Sequence, residues 1–230
     1  KYYATYTNCD LPAKEYYLFG KDGKMLDGLV EDENGEYHYY VKGKAGPAGL
    51  INVDGDYYYY DKNNHTIAKD RKYYATYTNC DLPAKEYYYF GKDGKLCDGI
   101  VEGHYYIMGK YGPNGLSKIG NDYYYISGGK IVTGKCYVKT TNCDLPAGEY
   151  YYFDVDGTFR EGVYAEEDGI YYYESGKRVF AGLVKVGDDF YYAGSGGKCV
   201  TGKKILCRKS SCVLPINREF TFGADGKIVK

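Results

Sequence analysis

A fifteen-residue phrase, Tyr3-Ala-Thr-Tyr-Thr-Asn-Cys9-Asp-Leu-Pro12-Ala-Lys-Glu-Tyr16-Tyr17, returns at Tyr74 to Tyr88, more loosely at Val138 to Tyr151 and faintly at Arg208 to Phe220. A repeat with this period decides the architecture before any single residue does, because each copy must bury its apolar face against the next. Cys9, Cys80, Cys143 and Cys212 recur at intervals of 71, 63 and 69 residues, which sets repeat units at 1–70, 71–134 and 135–202 and a partial fourth at 203–230. Each full unit divides again into three pieces of about 20 residues that end in Gly or its equivalent, as at Gly148–Gly162, Val163–Gly182 and Leu183–Gly202.

The sub-repeat reads as a β-hairpin. Asp22-Gly23, Asn34-Gly35, Asp54-Gly55, Asp93-Gly94, Asp156-Gly157, Asp168-Gly169 and Asp225-Gly226 lie beside aromatic or β-branched runs, the signature of a type I′ turn. No stretch of ten residues keeps an i, i+3, i+4 apolar pattern, and 32 glycines interrupt the chain too often for helices. An isolated hairpin is marginal in water. The sequence therefore predicts an all-β solenoid of about ten stacked hairpins, roughly three per turn, with almost no helix.

The apolar content leans on 34 tyrosines, with two methionines and no tryptophan. A tyrosine ring fills space while its hydroxyl seeks a partner or water, which suits a thin core near solvent. A net charge of −1 from 30 basic and 31 acidic residues, with no basic run, argues against a nucleic-acid partner. No run of apolar residues is long enough for a helix to span a membrane.

Eight cysteines, an even number in a Gly- and Tyr-rich repeat, favour an oxidising compartment, with buried free thiols as the alternative. Cys97 and Cys136 together take the slots of Leu26 and Tyr73, and Cys199 and Cys207 those of Ile131 and Val138, which predicts disulfides Cys97–Cys136 and Cys199–Cys207. The other four read as thiols packed between turns or as intermolecular links. The chain opens at Lys1 in the middle of the repeat phase, as a mature or excised segment of something longer does.

Comparing slots assigns faces, since a strand alternates its side chains. Phe19, Phe90, Phe153 and Phe222 share one slot, and Tyr17, Tyr88, Tyr151 and Phe220 the slot two before it; always aromatic, these are expected in the core. The slots of Leu18, Tyr89, Tyr152 and Thr221 and of Tyr16, Tyr87, Tyr150 and Glu219 tolerate polar residues and are expected to face out. Tyr16, Tyr87, Tyr89, Tyr150 and Tyr152 are thus the candidate binding residues, either a platform for sugar rings or rings that merely cover neighbouring hairpins. The slots leave Tyr57–Tyr60 and Tyr123–Tyr125 unsorted.

Catalytic chemistry finds no foothold. His38 and His104 share a slot that the third unit fills with Tyr171, and His65 falls in a turn. Asp154-Val-Asp156-Gly157 lacks the later acidic ligands of a calcium loop, and Gly128–Lys130 and Gly194–Lys198 lack the phosphate-binding signature, so all three read as turns. No cofactor, metal or enzyme activity is expected. Asn64-His65-Thr66 is the one N-glycosylation sequon, relevant only in a cell that glycosylates.

Glu149-Tyr-Tyr-Tyr-Phe-Asp-Val-Asp-Gly157-Thr-Phe-Arg-Glu-Gly162, Asp122-Tyr-Tyr-Tyr-Ile-Ser-Gly-Gly-Lys-Ile-Val-Thr-Gly134, Leu145–Phe153 and Thr221–Lys227 resemble the cell-wall-binding, choline-binding-like repeats of Gram-positive surface proteins and the related repeats in the tails of large clostridial toxins. The resemblance covers nearly the whole chain. It implies an extracellular or cell-surface β-hairpin solenoid, left-handed, that binds cell-wall polysaccharide or a host glycan without catalysing a reaction. Choline-binding repeats carry Trp after the terminal Gly to build a cation–π cage. Leu29, Leu50, Ile100, Leu116, Val163 and Leu183 stand there instead, which speaks against choline and leaves carbohydrate. Two further roles remain open: a fibre protein that stacks on itself end to end, and the anchoring tail of a larger secreted enzyme or toxin.

Overall fold

The computed structural model describes residues 1–229. Its regular structure is β-strand throughout, apart from one 3₁₀ turn at Ser195–Gly197. The chain divides into two units, Lys1–Gly112 and Pro113–Lys230, each built of small antiparallel groups of two or three strands. The division falls inside the second sequence repeat.

One copy of the repeat shows the pattern. Arg71–Ala75 pairs with Glu86–Phe90, and Gly99–Val101, His104–Ile107 and Lys110–Tyr111 form the next group. In the second unit Gly134–Val138 pairs with Glu149–Phe153, followed by Gly162–Glu166, Gly169–Glu174 and Lys177–Arg178. The first strands of the chain, Tyr2–Ala4 with Glu15–Tyr17 and Gly28–Glu31 with Tyr37–Val41 and Lys44–Ala45, repeat the same order.

The repeated Thr-Asn-Cys phrase has a structural cause. In three copies a fully buried leucine exchanges backbone bonds with the loop that carries the phrase: Leu50 N donates to Tyr77 O (2.9 Å) and Asn79 N to Leu50 O (2.7 Å). Leu116 does the same with Thr140 and Asn142, and Leu183 with Lys209 and Ser211. Asn79 Nδ2 also donates to Ala48 O (2.8 Å), Asn142 Nδ2 to Asn114 O (2.9 Å) and Ser211 Oγ to Ala181 O (2.8 Å). At Leu50, Leu116 and Leu183 the slot after the terminal glycine thus holds a leucine because it is a packing and docking position.

The core is a set of separate clusters rather than one mass. Leu50, Tyr59, Ala75, Tyr88 and Phe90 form one in the first unit, and Leu116, Val138, Tyr151, Phe153 and Phe159 form one in the second. Tyr88, Tyr151, Phe90, Phe153 and Phe222 are buried as the slot comparison requires, but Phe19 is 37% exposed and Phe220 only half-buried. Three of the buried tyrosines stand in equivalent slots and satisfy their hydroxyls in the same way: Tyr17, Tyr88 and Tyr151 donate to the carbonyls of Pro12, Pro83 and Pro146 at 2.7, 2.8 and 3.0 Å. The same three rings carry Lys44, Lys110 and Lys177 over their faces, each lysine also paired with Glu15, Glu86 or Glu149. Of the tyrosines left unsorted by sequence, Tyr58, Tyr59 and Tyr60 are buried.

Two sequence expectations need correction. Of the seven Asp/Asn-Gly pairs, only Asp54-Gly55 has both residues at positive φ, as a type I′ turn requires. At Asp22, Asp93, Asp156 and Asp225 the carboxylate Oδ1 instead accepts the amide two residues on, closing a wider loop by a side-chain bond. Lys42-Gly43, Glu102-Gly103, Met108-Gly109, Gly128-Gly129, Ser175-Gly176 and Gly196-Gly197 are the other pairs with two positive φ angles.

The disulfides are the second correction. All eight cysteines are free thiols. Cys97 lies in the first unit and Cys136 in the second, where Cys136 packs against the cluster of Val138 and Tyr151. Cys199 packs with Ala181, Val184 and Ala193, whereas Cys207 belongs to a different cluster with Leu183 and Phe222. These apolar slots accept cysteine as a small hydrophobe, so their joint substitution reports packing and not bonding.

Candidate functional site

The strand Glu86–Phe90 hands its edge to the following group through three backbone bonds: Tyr89 N to Gly109 O (2.8 Å), Cys97 N to Tyr89 O (2.9 Å) and Gly109 N to Cys97 O (2.7 Å). That junction gathers rings from two groups of strands. Tyr111 stacks on Tyr89, with centroids 4.7 Å apart and planes 29° apart, and on His104 at 5.8 Å and 15°. Tyr106 closes against Tyr89 at 5.2 Å and Tyr111 at 5.3 Å. These rings wall a cleft of about 500 Å³. Tyr106 is buried at its floor, and Tyr111 is 43% exposed at its mouth.

Charge at the rim is balanced. Asp70, Asp93 and Glu102 face Arg71, Lys72 and Lys92 around the cleft. Lys92 and Glu102 pair at 2.5 Å, which holds the Glu102 carboxyl below its ordinary value. Burial, helped by Tyr111, raises the Tyr106 phenol to about 12, and the Tyr89 hydroxyl together with burial raises that of Tyr111. The Tyr106 and Tyr111 phenols are therefore neutral at ordinary pH and present hydrogen-bonding apolar faces. Ring faces, hydroxyl groups and balanced charge within one concave site suit a neutral ligand with an apolar face and hydroxyl edges.

The sequence-derived tyrosines fall into two sets. Tyr16, Tyr87 and Tyr150 are exposed at 56, 55 and 56%. Each pairs across its hairpin with another exposed ring: Tyr3–Tyr16 at 4.9 Å, Tyr74–Tyr87 at 5.0 Å and Tyr137–Tyr150 at 5.1 Å. A lysine lies over each of them, Lys1, Lys72 and Lys135 at 4.6, 4.8 and 4.8 Å from the centroid. In the fourth copy the same pair of positions is Leu206 and Glu219, and there Lys204 pairs with the Glu219 carboxylate at 2.7 Å. Tyr89 and Tyr152 share the strand face of Tyr87 and Tyr150, opposite Tyr88 and Tyr151, but are half-buried there, at the junction with the next group.

Sequence reasoning missed Tyr106, Tyr111 and His104 as neighbours of Tyr89. Their separation along the chain hides the contact, although the recurring glycines at 43, 109 and 176 mark where the next group returns to the edge. A second cleft of about 660 Å³ lies between Tyr59, Tyr73, Tyr74 and Tyr77. Its walls are already engaged, since Tyr73 packs on Tyr59 at 4.3 Å and donates to Asp61 at 2.6 Å.

The other motifs stay quiet. Asn64 sits exposed in the turn after Asp61, its Nδ2 donating to Asp61 Oδ2 at 3.1 Å. Asp154–Gly157 is a turn, closed by Asp154 N to Thr158 O at 2.7 Å. Among the described residues no group of three or more His, Cys, Asp or Glu side chains is placed to hold a metal ion. No helix among them is long and apolar enough to cross a membrane.

No family model matches the chain. The chain is 27% identical over 243 aligned positions to glucosyltransferase-I of Streptococcus downei, an alignment that covers 94% of this chain and 14% of that protein. Among solved structures it is similar to choline binding protein F from Streptococcus pneumoniae, determined with a peptidoglycan analogue (20% identity, 96% of this chain and 79% of that one, TM-score 0.36). It is also similar to the choline-binding domain of CbpL from the same organism (20% identity, 80% of this chain and 98% of that one, TM-score 0.39). The chain thus has its likenesses among streptococcal proteins, choline-binding proteins included, as its motifs indicated. It spans a small part of the glucosyltransferase it matches.

Proposed function

We propose that this chain is a non-catalytic binding module of a secreted or cell-surface protein, which holds cell-wall polysaccharide or a related glycan through tyrosine-walled sites. The observation that carries the reading is the cleft of about 500 Å³ walled by Tyr89, Tyr106, Tyr111 and His104. A pyranose presents a C–H face that packs on a phenol ring and hydroxyl edges that match Lys72, Asp93 and Glu102 at the rim. Tyr16, Tyr87 and Tyr150 add shallow exposed rings along the hairpin edges, so that weak contacts sum on a long polymer. The recurring backbone junctions support hairpins that stack as a solenoid, about three to a turn.

Calorimetric titration with soluble peptidoglycan fragments and with glucan oligosaccharides tests the reading. Tyr89→Ala and Tyr111→Ala are expected to weaken binding at least tenfold; binding unchanged by both substitutions contradicts it.

The glucosyltransferase alignment favours one further reading. It covers 14% of that enzyme's length and almost all of this chain, the proportion of an appendage. On that reading the module anchors or feeds a larger secreted enzyme, and the titration above applies unchanged.

A further inference from the structure

The junction that forms the Tyr89 cleft occurs three times. Leu18, Leu26 and Gly43 exchange the same three backbone bonds as Tyr89, Cys97 and Gly109, and so do Tyr152, Arg160 and Gly176. The strand registers extend the match: Val30 opposite His38, Val101 opposite His104 and Tyr164 opposite Tyr171. Tyr40 opposite Ala45, Tyr106 opposite Tyr111 and Tyr173 opposite Arg178 complete it. These three positions are therefore the same place in successive copies, and their side chains can be compared directly.

They differ in what fills them. In the first copy Leu18 and Ala45 stand where the second has Tyr89 and Tyr111, so two aromatic walls are missing. In the third copy the walls Tyr152, Tyr171 and Tyr173 are present, but the space between them is taken. Arg178 lies 3.6 Å from the Tyr171 centroid and 5.0 Å from that of Tyr152. Arg160, in the slot of Cys97, lies over Tyr164 and Tyr173 at 5.0 and 5.6 Å. Both guanidinium groups are paired with Glu166, and Tyr164, in the slot of Val101, donates to Asp154 at 2.9 Å. Arg160 Nε is buried with no acceptor, so the group is held there by filling space and by its carboxylate, not by complete hydrogen bonding.

We propose that Cys97 and Val101 keep one cleft open while Arg160, Tyr164 and Arg178 plug its counterpart, so that of these three equivalent positions one alone takes a ring ligand. The inference rests on the sugar-binding reading for the natural ligand, a neutral pyranose, but the open and plugged states are properties of the protein itself. It replaces equal sites at each repeat with a single principal site of this type, and it makes the residues in the slots of Tyr89, Cys97, Val101 and Tyr111 the determinants of which repeat binds.

Crystals soaked in phenol, a ring probe independent of any sugar, test it. Phenol is expected against Tyr89 and Tyr106 in the wild-type protein and absent from the space between Tyr152 and Tyr173. The triple variant Arg160→Cys, Tyr164→Val, Arg178→Tyr, which gives the third copy the side chains of the open cleft, is expected to admit phenol at both places. Phenol beside Tyr152 in the wild type, an empty Tyr89 cleft, or a folded triple variant that remains closed each overturns the proposal. Should that variant fail to fold, Cys97→Arg, Val101→Tyr and Tyr111→Arg together copy the plug onto the open cleft and must exclude phenol there; phenol still bound overturns the proposal equally. Phenol in the cleft of a protein that binds no glycan removes the sugar reading and leaves the plug in place.

Discussion

At the scale of single residues, the thiols and the buried phenols make the sharpest statements. Burial pushes Cys199 and Cys207 up to about 11, whereas Cys9 is exposed. Since the thiolate is the reactive form, iodoacetamide at pH 8 should label Cys9 in the native protein and spare Cys199 and Cys207 until unfolding, as peptide mass mapping would read. Tyr151→Phe removes the bond to the Pro146 carbonyl and leaves that acceptor unmatched, a loss of about 1 kcal/mol; a thermal melt should fall by roughly 2–4 °C. Asp32 is held down to about 2, first by its hydrogen bond with His38 and then by the amides of Glu36 and Asn34. A depressed carboxyl contributes stability that is complete above its unfolded value, about 3.9, and that is lost as the pH falls through its folded value. A carbon-detected titration of the Asp32 carboxyl should therefore find its midpoint near 2. The core aromatic slots were legible because one strand face always keeps a ring. The thiol pairing was misread because an apolar slot and a disulfide slot leave the same trace in sequence: a cysteine where a hydrophobe stood.

At the scale of the hairpin, docking between loop and strand dominates. Gly182 sits at φ +73°, and a Cβ there would lie 2.3 Å from the Lys209 carbonyl oxygen, the very acceptor that Leu183 uses. Gly55 has φ +93° but open space around it. Both Gly→Ala substitutions incur about 1–3 kcal/mol of backbone strain, and Gly182→Ala adds a clash with backbone that cannot move aside. Urea unfolding should therefore show Gly182→Ala to be the more destabilised of the two, and equal losses would contradict the docking account. The presence and order of hairpins were readable from glycine punctuation and aromatic runs. The turn geometry was not, because Asp-Gly serves two purposes that share a dipeptide: two left-handed residues at Asp54-Gly55, and a carboxylate that caps an amide at Asp22, Asp93, Asp156 and Asp225.

At the scale of the whole molecule, the repeat supplies many equivalent positions and small substitutions differentiate them. The exposure of Tyr16, Tyr87 and Tyr150 was legible by slot comparison, since a position that becomes Glu219 in the last copy has no core to fill. The cleft itself was not, because Tyr89 meets Tyr106 and Tyr111 only when the next strand group folds back to its edge. The measurement that tests the central claim most directly is an NMR titration of the wild-type chain, with ring-labelled tyrosine, against soluble peptidoglycan fragments. The account predicts that the Tyr89, Tyr106 and Tyr111 ring signals move together and saturate, while Tyr152 and Tyr173 beneath Arg178 stay still. Signals unmoved at saturating fragment, or movement at Tyr152 and Tyr173 equal to that at Tyr89, would contradict it.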